Sequence, residues 1–321
     1  MDNNQSFMAS VEGDRKGLAL AIILSILLTI ALFYSTFEVP MVLDRALRHY
    51  FPDVFWDVKA REEVLAILRP VGYTTFAATI ALIALGFAIK KGLLSFAGSL
   101  ALYIPTFGYF AFAMFFLGGL GALRALWLPI LELSPTVLKL GRVAYAPFVA
   151  LGPLATLVGM ILIFAGLLVF ALGATTWLYG KFKGRDLVDF WIYKYSRHPQ
   201  YLGFIIWSYG LLIFVSFKCY VMGAFATPPA LIWLMSTMVV IGVAMLEEAE
   251  MSRRYGERYE EYRKRTSFMM PMPKLLSRAI TAPLRVTGIR PKDLRSMAAA
   301  LSLYTAILVA ISYVLLLALR L

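Results

Sequence analysis

Two short polar segments of this chain carry side chains that could hold a small charged ligand. The first extends from Arg185 to Gly203 and contains an Arg-His-Pro turn at 197–199. This turn leads directly into an apolar helix, whose first turn has unpaired backbone N–H groups and the positive end of the helix dipole. Such a helix start, with Arg197 and His198 as side-chain donors, suits a carboxylate or a phosphate.

The second polar segment is the acidic run Glu247-Glu248-Ala-Glu250 at the end of a long apolar stretch. Carboxylates at the end of a membrane helix are costly unless they meet water, a cation or a ligand. The run could simply mark where the helix leaves the membrane. If it faces the Arg-His-Pro turn, Glu247 and Glu248 would suit hydroxyl groups or an amine. The two segments together therefore predict a site for a zwitterionic ligand.

The composition places these segments in a membrane protein. Of the 321 residues, 60% are hydrophobic and only 16% are charged, and the mean hydropathy is +0.75. The net charge of +12 fits lysines and arginines that face cytoplasmic loops and the headgroups of membrane lipids, and it does not predict a nucleic-acid partner. One cysteine excludes an internal disulfide, and two distant histidines do not form a zinc site, so we predict no metal.

Apolar stretches predict an all-α, polytopic transmembrane helical protein with about seven spans. The predicted spans are 17–38, 70–89, 93–117, 146–178, 201–218, 221–246 and 297–319. Pro129 and Pro135 interrupt the apolar segment 118–142, which we expect to lie at the interface or partly re-enter the membrane. A cytoplasmic amino terminus puts about two thirds of the 31 Lys and Arg residues on the cytoplasmic side, in the segments 1–16, 90–92, 181–200 and 247–296.

The fifth and sixth predicted spans form a helical hairpin over 201–246. They are separated only by a short turn near 218–220, which requires the two helices to be antiparallel. Both polar segments then return to one membrane face, which the charge distribution assigns to the cytoplasm. The hairpin therefore predicts a cytoplasmic site at its open end.

An amphipathic helix is predicted after the sixth span. Met251, Tyr255, Tyr259 and Tyr262 recur at helical spacing on one face, and Gly256 interrupts the pattern. This helix could lie on the membrane surface or cap the hairpin. Beyond it the chain is expected to fragment at Pro271, Pro273, Pro283 and Pro291. We divide the chain into amino-terminal transmembrane helices (1–180), a cofactor-binding core (181–271) and a basic linker with a final transmembrane helix (272–321).

The core resembles a known superfamily of membrane enzymes. The order Asp186-Leu-Val, Tyr193, Arg197-His-Pro-Gln-Tyr-Leu-Gly, then a hairpin, Glu247-Glu248 and Tyr-Gly-Xaa-Xaa-Tyr-Xaa-Xaa-Tyr at 255–262 is similar to that of isoprenylcysteine carboxyl methyltransferases and phospholipid methyltransferases. The resemblance covers about 185–271, and it specifies the superfamily better than the branch within it.

The resemblance implies an integral membrane methyltransferase that uses S-adenosylmethionine and a lipophilic methyl acceptor entering from the bilayer. The positions that match the family's cofactor site are Leu187, Val188, Tyr193, His198, Pro199, Gln200, Tyr201, Glu247 and Glu248. For catalysis, Arg197 would steady an acidic acceptor and Glu248 would take a proton from an amine or hydroxyl acceptor, with Glu247 an equal candidate.

This chain departs from the family pattern at several positions. Arg185-Asp186 stands where a histidine is common, and Thr266-Ser267-Phe268 replaces a Val-Pro-Arg ending. Val243 and Ala244 stand where isoprenylcysteine enzymes carry an arginine, which argues against a prenylcysteine carboxylate as acceptor. The alternatives are a phospholipid amine N-methyltransferase, an NADPH-dependent sterol reductase-like enzyme, and a non-enzymatic membrane scaffold.

Overall fold

The computed structural model describes residues 15–47, 58–107, 129, 132–217, 230–291 and 293–319. The long regular elements within these ranges are all α-helices, which confirms the all-α prediction. In chain order they are α1 (Arg15–Leu47), α2 (Val58–Ala88), α3 (Gly92–Phe107), α4 (Leu154–Phe182), α5 (Pro199–Phe217), α6 (Ala230–Arg265), α7 (Lys274–Thr287) and α8 (Leu294–Leu319).

Five helices in the described ranges are long and apolar enough to cross a membrane. They lie at Arg15–Thr36, Arg69–Ala88, Leu154–Phe182, Ala230–Arg265 and Leu294–Ala318. The apolar part of α5, Pro199–Phe214, is shorter, and α3 ends where the described range ends. The predicted turn near 218–220 and the start of the predicted sixth span lie outside the described residues.

A row of glycines brings α4 and α5 into backbone contact. Gly159, Gly166 and Gly173 on α4 face the backbone of α5, and Gly203 and Gly210 on α5 face the backbone of α4. A Cβ atom added to Gly166 would lie 2.2 Å from the backbone nitrogen of Trp207. Small residues allow this close approach between membrane helices, where packing and hydrogen bonds drive association. The row of glycines therefore fixes the position of α5 against α4.

Buried hydroxyl groups join other helices. Ser25 on α1 donates a 2.6 Å hydrogen bond to the carbonyl of Ala171 on α4. The indole N–H of Trp233 on α6 donates to the hydroxyl of Ser208 on α5 at 3.0 Å. Each bond satisfies a polar group that could not otherwise meet water inside the bundle. They connect α1 and α6 to the α4–α5 pair.

The predicted fourth span, 146–178, begins later than expected. Residues Ala146–Val149 form a separate short helix, Gly152 has a positive φ of 52°, and α4 starts at Leu154. A glycine in this conformation turns the chain, because residues with a Cβ atom rarely adopt a positive φ. The turn separates two apolar segments that composition alone does not distinguish.

Part of the segment predicted to lie at the interface or re-enter is packed inside the protein. Residues 135–144 form a short α-helix and a 3₁₀ turn, and Gly141 lies against the backbone carbonyl of Ala230 at the start of α6. The backbone N–H of Val143 donates to the hydroxyl of Ser312 on α8 at 3.0 Å. This stretch therefore connects α6 and α8; most of 118–131 lies outside the described residues.

The predicted amphipathic helix continues from α6 after a sharp bend. Gly256 has φ 51° and ψ −129°, a non-helical conformation inside the range of α6. The bend turns residues 257–265 back towards the bundle. The predicted break at Pro283 is wrong, since α7 runs through this residue. Pro283 removes one helical hydrogen bond, but the exposed surface of α7 leaves the unpaired carbonyl accessible.

Replacing Gly166 by leucine should destabilise the protein, because the new side chain would meet the backbone of Trp207. We expect a loss of about 3 kcal/mol or more in the free energy of unfolding, the upper end for overpacking. Thermal unfolding of the detergent-solubilised protein measures it. The control is Leu168→Ala on the same helix, at a side chain that is 60% exposed. Equal melting temperatures for the two variants would contradict the proposed glycine contact.

Candidate functional site

A cavity of about 460 Å³ lies where the amino end of α5 meets the carboxyl end of α4 and the middle of α6. Lys90 and Gly92, at the α2–α3 turn, also contribute to its wall. Its volume falls within the range of roughly 300–1,000 Å³ that is usual for small-molecule sites. We call this the first cavity. It collects residues from four separate parts of the chain at one end of the helical bundle.

Most of the predicted cofactor-binding residues line the first cavity. The lining includes Leu187, Val188, Tyr193, His198, Gln200, Tyr201 and Glu247. Two predicted residues do not belong to this lining: Pro199, which is the first residue of α5, and Glu248, which lines a neighbouring second cavity. The predicted catalytic residue Arg197 lines both cavities. The residues of the motif therefore gather at one site, where Glu247 lines the first cavity and Glu248 lines the second.

The segment between α4 and α5 is held in place by burial. Gly184 has a positive φ of 64° and turns the chain, after which Leu187 and Val188 are buried. Tyr179 on α4 stacks on Trp191, with ring centroids 5.3 Å apart. Tyr193 is also buried, and this burial raises the pKa of its phenol group. The phenol therefore stays neutral and can donate a hydrogen bond.

His198 lies between the two glutamates of α6. Its Nδ1 is 3.6 Å from Glu247 Oε2, and its Nε2 is 3.4 Å from Glu248 Oε1. Burial disfavours the charged imidazolium, but the two carboxylates outweigh that effect and raise the pKa of His198 above its ordinary value. His198 therefore links the start of α5 to both carboxylates, and these favour its protonated form.

Glu247 and Glu248 have different surroundings. The Glu247 side chain is 47% exposed in the first cavity, and one of its oxygens accepts a 2.5 Å hydrogen bond from the Tyr201 hydroxyl. The Glu248 side chain is 11% exposed and is surrounded by Arg197, His198, Arg263 and Tyr259. Glu247 is therefore free to meet a ligand, whereas protein groups surround Glu248.

Arg197 connects α5 to the end of α6. Its Nε is 2.5 Å from Glu248 Oε1, and its Nη1 donates to the backbone carbonyls of both Arg263 and Thr266, at 2.9 and 3.1 Å. Its backbone N–H also donates to the carbonyl of Ser267. These contacts give Arg197 a structural function that the sequence did not predict. The sequence predicted only that Arg197 would lie next to a methyl acceptor.

The tyrosine face of the bent α6 packs on the site. Tyr259 and Tyr262 are buried against Leu187, and Tyr262 donates a 2.7 Å hydrogen bond to the carbonyl of Tyr193. Tyr255 donates to the carbonyl of Asp186 at 3.3 Å. Of the two alternatives for this face, the geometry favours the cap of the hairpin over docking on the membrane.

Among the lining residues that did not come out of the sequence motif are three cations and a tryptophan: Lys90, Lys181, Arg254 and Trp177. The three cations belong to segments predicted to share the cytoplasmic face, at 90–92, 181–200 and 247–296. The sequence therefore indicated that these residues lie on one face of the membrane. It did not indicate that they line one cavity. That this face is cytoplasmic remains a prediction.

Comparison with known proteins gives one family match. Residues 124–266 match the profile of a family described as "Protein of unknown function (DUF1295)". The matched region contains α4, α5 and α6 with the first cavity between them, and it ends before α7 and α8. No curated protein and no solved structure matches the chain.

The stability of the protein should fall as the pH rises through the raised pKa of His198. Its folded pKa lies above its unfolded value near 6.5, so its charged form stabilises the fold fully below that value and the contribution is lost at higher pH. Thermal melting from about pH 6 to about pH 9 measures the effect. His198→Gln, which cannot titrate, should flatten this part of the profile. An unchanged slope in His198→Gln would contradict the assignment.

Removing only Arg197 should lower the free energy of unfolding more than replacing both Arg197 and Glu248 by uncharged residues. We expect Arg197→Met to lower the free energy of unfolding by about 3 kcal/mol, since it leaves a buried carboxylate without its nearest partner. His198 and Arg263 still face Glu248, which keeps the loss at the low end for a buried pair. Arg197→Met/Glu248→Gln should recover part of it. Chemical denaturation of the single and double variants measures the coupling, and simple additivity would contradict it.

Proposed function

We propose that this protein is an integral membrane methyltransferase that uses S-adenosylmethionine and acts on a lipophilic acceptor. The observation that carries this proposal is the first cavity, which collects Leu187, Val188, Tyr193, His198, Gln200, Tyr201 and Glu247. The sequence resemblance, which does not depend on the structure, assigns the same positions to a cofactor site. A sequence match that arose by chance would not be expected to place side chains from both ends of the 201–246 hairpin at one cavity.

The chemical groups of the first cavity fit this cofactor. Glu247, half exposed, suits the amine or the ribose hydroxyls. Lys181 suits the methionine carboxylate as a cation on the cavity wall. Leu187 and Val188 offer an apolar surface for the adenine ring, and Trp177 adds an aromatic side chain. A zwitterionic ligand with one flat ring could therefore satisfy the lining.

The sulfonium of the cofactor supplies an already activated methyl group, so the protein has to align an acceptor and exclude water. Tyr259 and Tyr262, in the part of α6 that follows Gly256, pack against Leu187 and reduce the access of water to the first cavity. Glu248 lines a second cavity, described below, and its carboxylate could take the proton released by an amine or hydroxyl acceptor. A carboxylate or thiolate acceptor would need no such base.

The lining supports one branch of the superfamily less than the others. Val243 and Ala244, at the position of the family's arginine, are completely buried and cannot contact an acceptor. An isoprenylcysteine-like reaction would have to take its arginine from Arg197 or Arg263, both beside Glu248. A phospholipid amine would instead use Glu248 as its base.

A dinucleotide-dependent reductase is the second candidate, because cations also line the first cavity. Lys90, Lys181 and Arg254 could face the phosphates of NADPH. The acidic side chains Asp186, Glu247 and Glu250 line the same cavity and would repel those phosphates. The mixed signs favour the zwitterion over the polyanion.

Ligand binding to the purified protein tests the proposal. S-Adenosylmethionine should bind, and His198→Ala and Glu247→Ala should weaken binding by about tenfold or more, since a hydrogen bond to a charged group contributes roughly 1.5–3 kcal/mol. Isothermal titration calorimetry against S-adenosylmethionine and NADPH measures both candidates.

The matched control is Glu257→Ala. This glutamate is exposed on the same segment as the tyrosine cap and lines neither cavity, so its loss should leave binding unchanged. Binding of NADPH alone would support the reductase. Binding of neither compound would support the non-enzymatic scaffold.

A further inference from the structure

A second cavity of about 860 Å³ lies on the other side of the Arg197–Glu248 pair. Its walls are single faces of three helices: Met238, Ile241 and Met245 on α6, Ile280 and Leu284 on α7, and Met297, Ala300, Leu301 and Tyr304 on α8. The α7 and α8 walls come from the part of the chain that lies beyond the family match, which ends at residue 266. This cavity is thus built largely by the carboxy-terminal segment.

The second cavity is apolar along its length and polar at one end. Five methionines line it, namely Met238, Met245, Met269, Met272 and Met297. Methionine side chains are flexible and polarizable, and they adapt to apolar ligands of variable shape. The charged lining residues are Arg197, Glu248, Glu260 and Arg263, which form one connected cluster with Ser252. A ligand for this cavity therefore needs a long apolar part and a compact polar end.

The helix that closes the second cavity has the features of an interfacial helix. Leu275 and Val286 of α7 are more than 80% exposed, while Lys274, Arg278 and Arg285 supply its charges. Such a helix lies in the plane between headgroups and acyl chains. The hydroxyl of Tyr304 on α8 donates to the carbonyl of Ile280 and ties α7 to α8. The cavity is therefore covered by an element suited to the depth at which lipid headgroups lie.

We infer that the second cavity binds a membrane lipid by a flexible hydrocarbon chain, with the lipid's polar end at Arg197 and Glu248. A flexible hydrocarbon chain fits walls that consist largely of adaptable apolar side chains. The inference rests on the proposed function only in naming this lipid as the methyl acceptor. In that case the acceptor atom has to reach the methyl group beside Arg197, which lines both cavities.

Photo-crosslinking tests the inference. Palmitic acid carrying a diazirine near the end of its chain is added to the purified protein in detergent, and the labelled residues are identified by mass spectrometry. With the polar end at Glu248, we expect saturable labelling at Met238 and Leu301, which lie further along α6 and α8, and oleic acid, farnesol or lysophosphatidylcholine should reduce it. The strongest competitor identifies the kind of chain. Labelling spread over lipid-facing residues such as Leu168, with no competition from any of the three, would overturn the inference.

Neighbouring alanines of α8 provide a matched pair of variants. Ala300 is buried and lines the second cavity, whereas Ala299 is exposed and does not. Ala300→Trp should abolish the saturable labelling and Ala299→Trp should retain it. If Ala300→Trp fails to fold, Ala249→Trp fills the cavity from α6 instead. Labelling that persists in a folded, filled variant would overturn the inference.

S-Adenosylmethionine binding is measured on the same variants, so that the two proposals can fail separately. Filling the second cavity should leave cofactor binding unchanged, because Ala300 and Ala249 do not line the first cavity. Cofactor binding without saturable labelling would overturn the lipid site and leave the methyltransferase proposal standing. Saturable labelling without cofactor binding would support the lipid site and overturn its assignment to a methyl acceptor.

Discussion

The ion pair between Arg197 and Glu248 is the contact on which the rest of the site depends. Removing two charges from water is expensive, and a buried pair is tolerated only when hydrogen bonds satisfy its remaining donors and acceptors. Here the guanidinium also holds the carbonyls of Arg263 and Thr266, and the carboxylate also meets His198, Tyr259 and Arg263. One pair thereby joins the start of α5, the middle of α6 and the segment that follows α6.

The backbone contact between α4 and α5 gives that pair a fixed foundation. Gly173 lies against Pro199 and Gln200 at the first turn of α5, directly after Arg197 and His198. Because Gly173 has no side chain, the start of α5 lies directly against α4 and cannot move closer without a collision. The bend at Gly256 then brings Tyr259 and Tyr262 over the site. A rigid helix pair and a turned-back helix thus enclose groups that lie far apart in the sequence.

The sequence was sufficient for the helical class, for the approximate positions of five long apolar helices and for seven of the nine predicted cofactor residues that line the first cavity. Their signals are local: apolar length, an Arg-His-Pro helix start and an acidic helix end. The sequence could not distinguish Glu247 from Glu248, because their different surroundings depend on how α6 is rotated against α5. It also missed the second cavity, whose residues in α6, α7 and α8 become neighbours only through tertiary packing. The glycines spaced seven apart on α4 and α5 were visible, but their role needs the partner helix.

The rotation of α6 has a consequence for how this protein can change during evolution. Successive residues of a helix point about 100° apart, and here two successive glutamates serve two different cavities. A substitution on the lipid-facing side of α6 leaves that division intact. An insertion or deletion of one residue between Ala230 and Glu247 would rotate both carboxylates by about 100° around the helix axis. Neither carboxylate would then lie in its present surroundings. The length of this helical segment should therefore be more strictly preserved than its sequence.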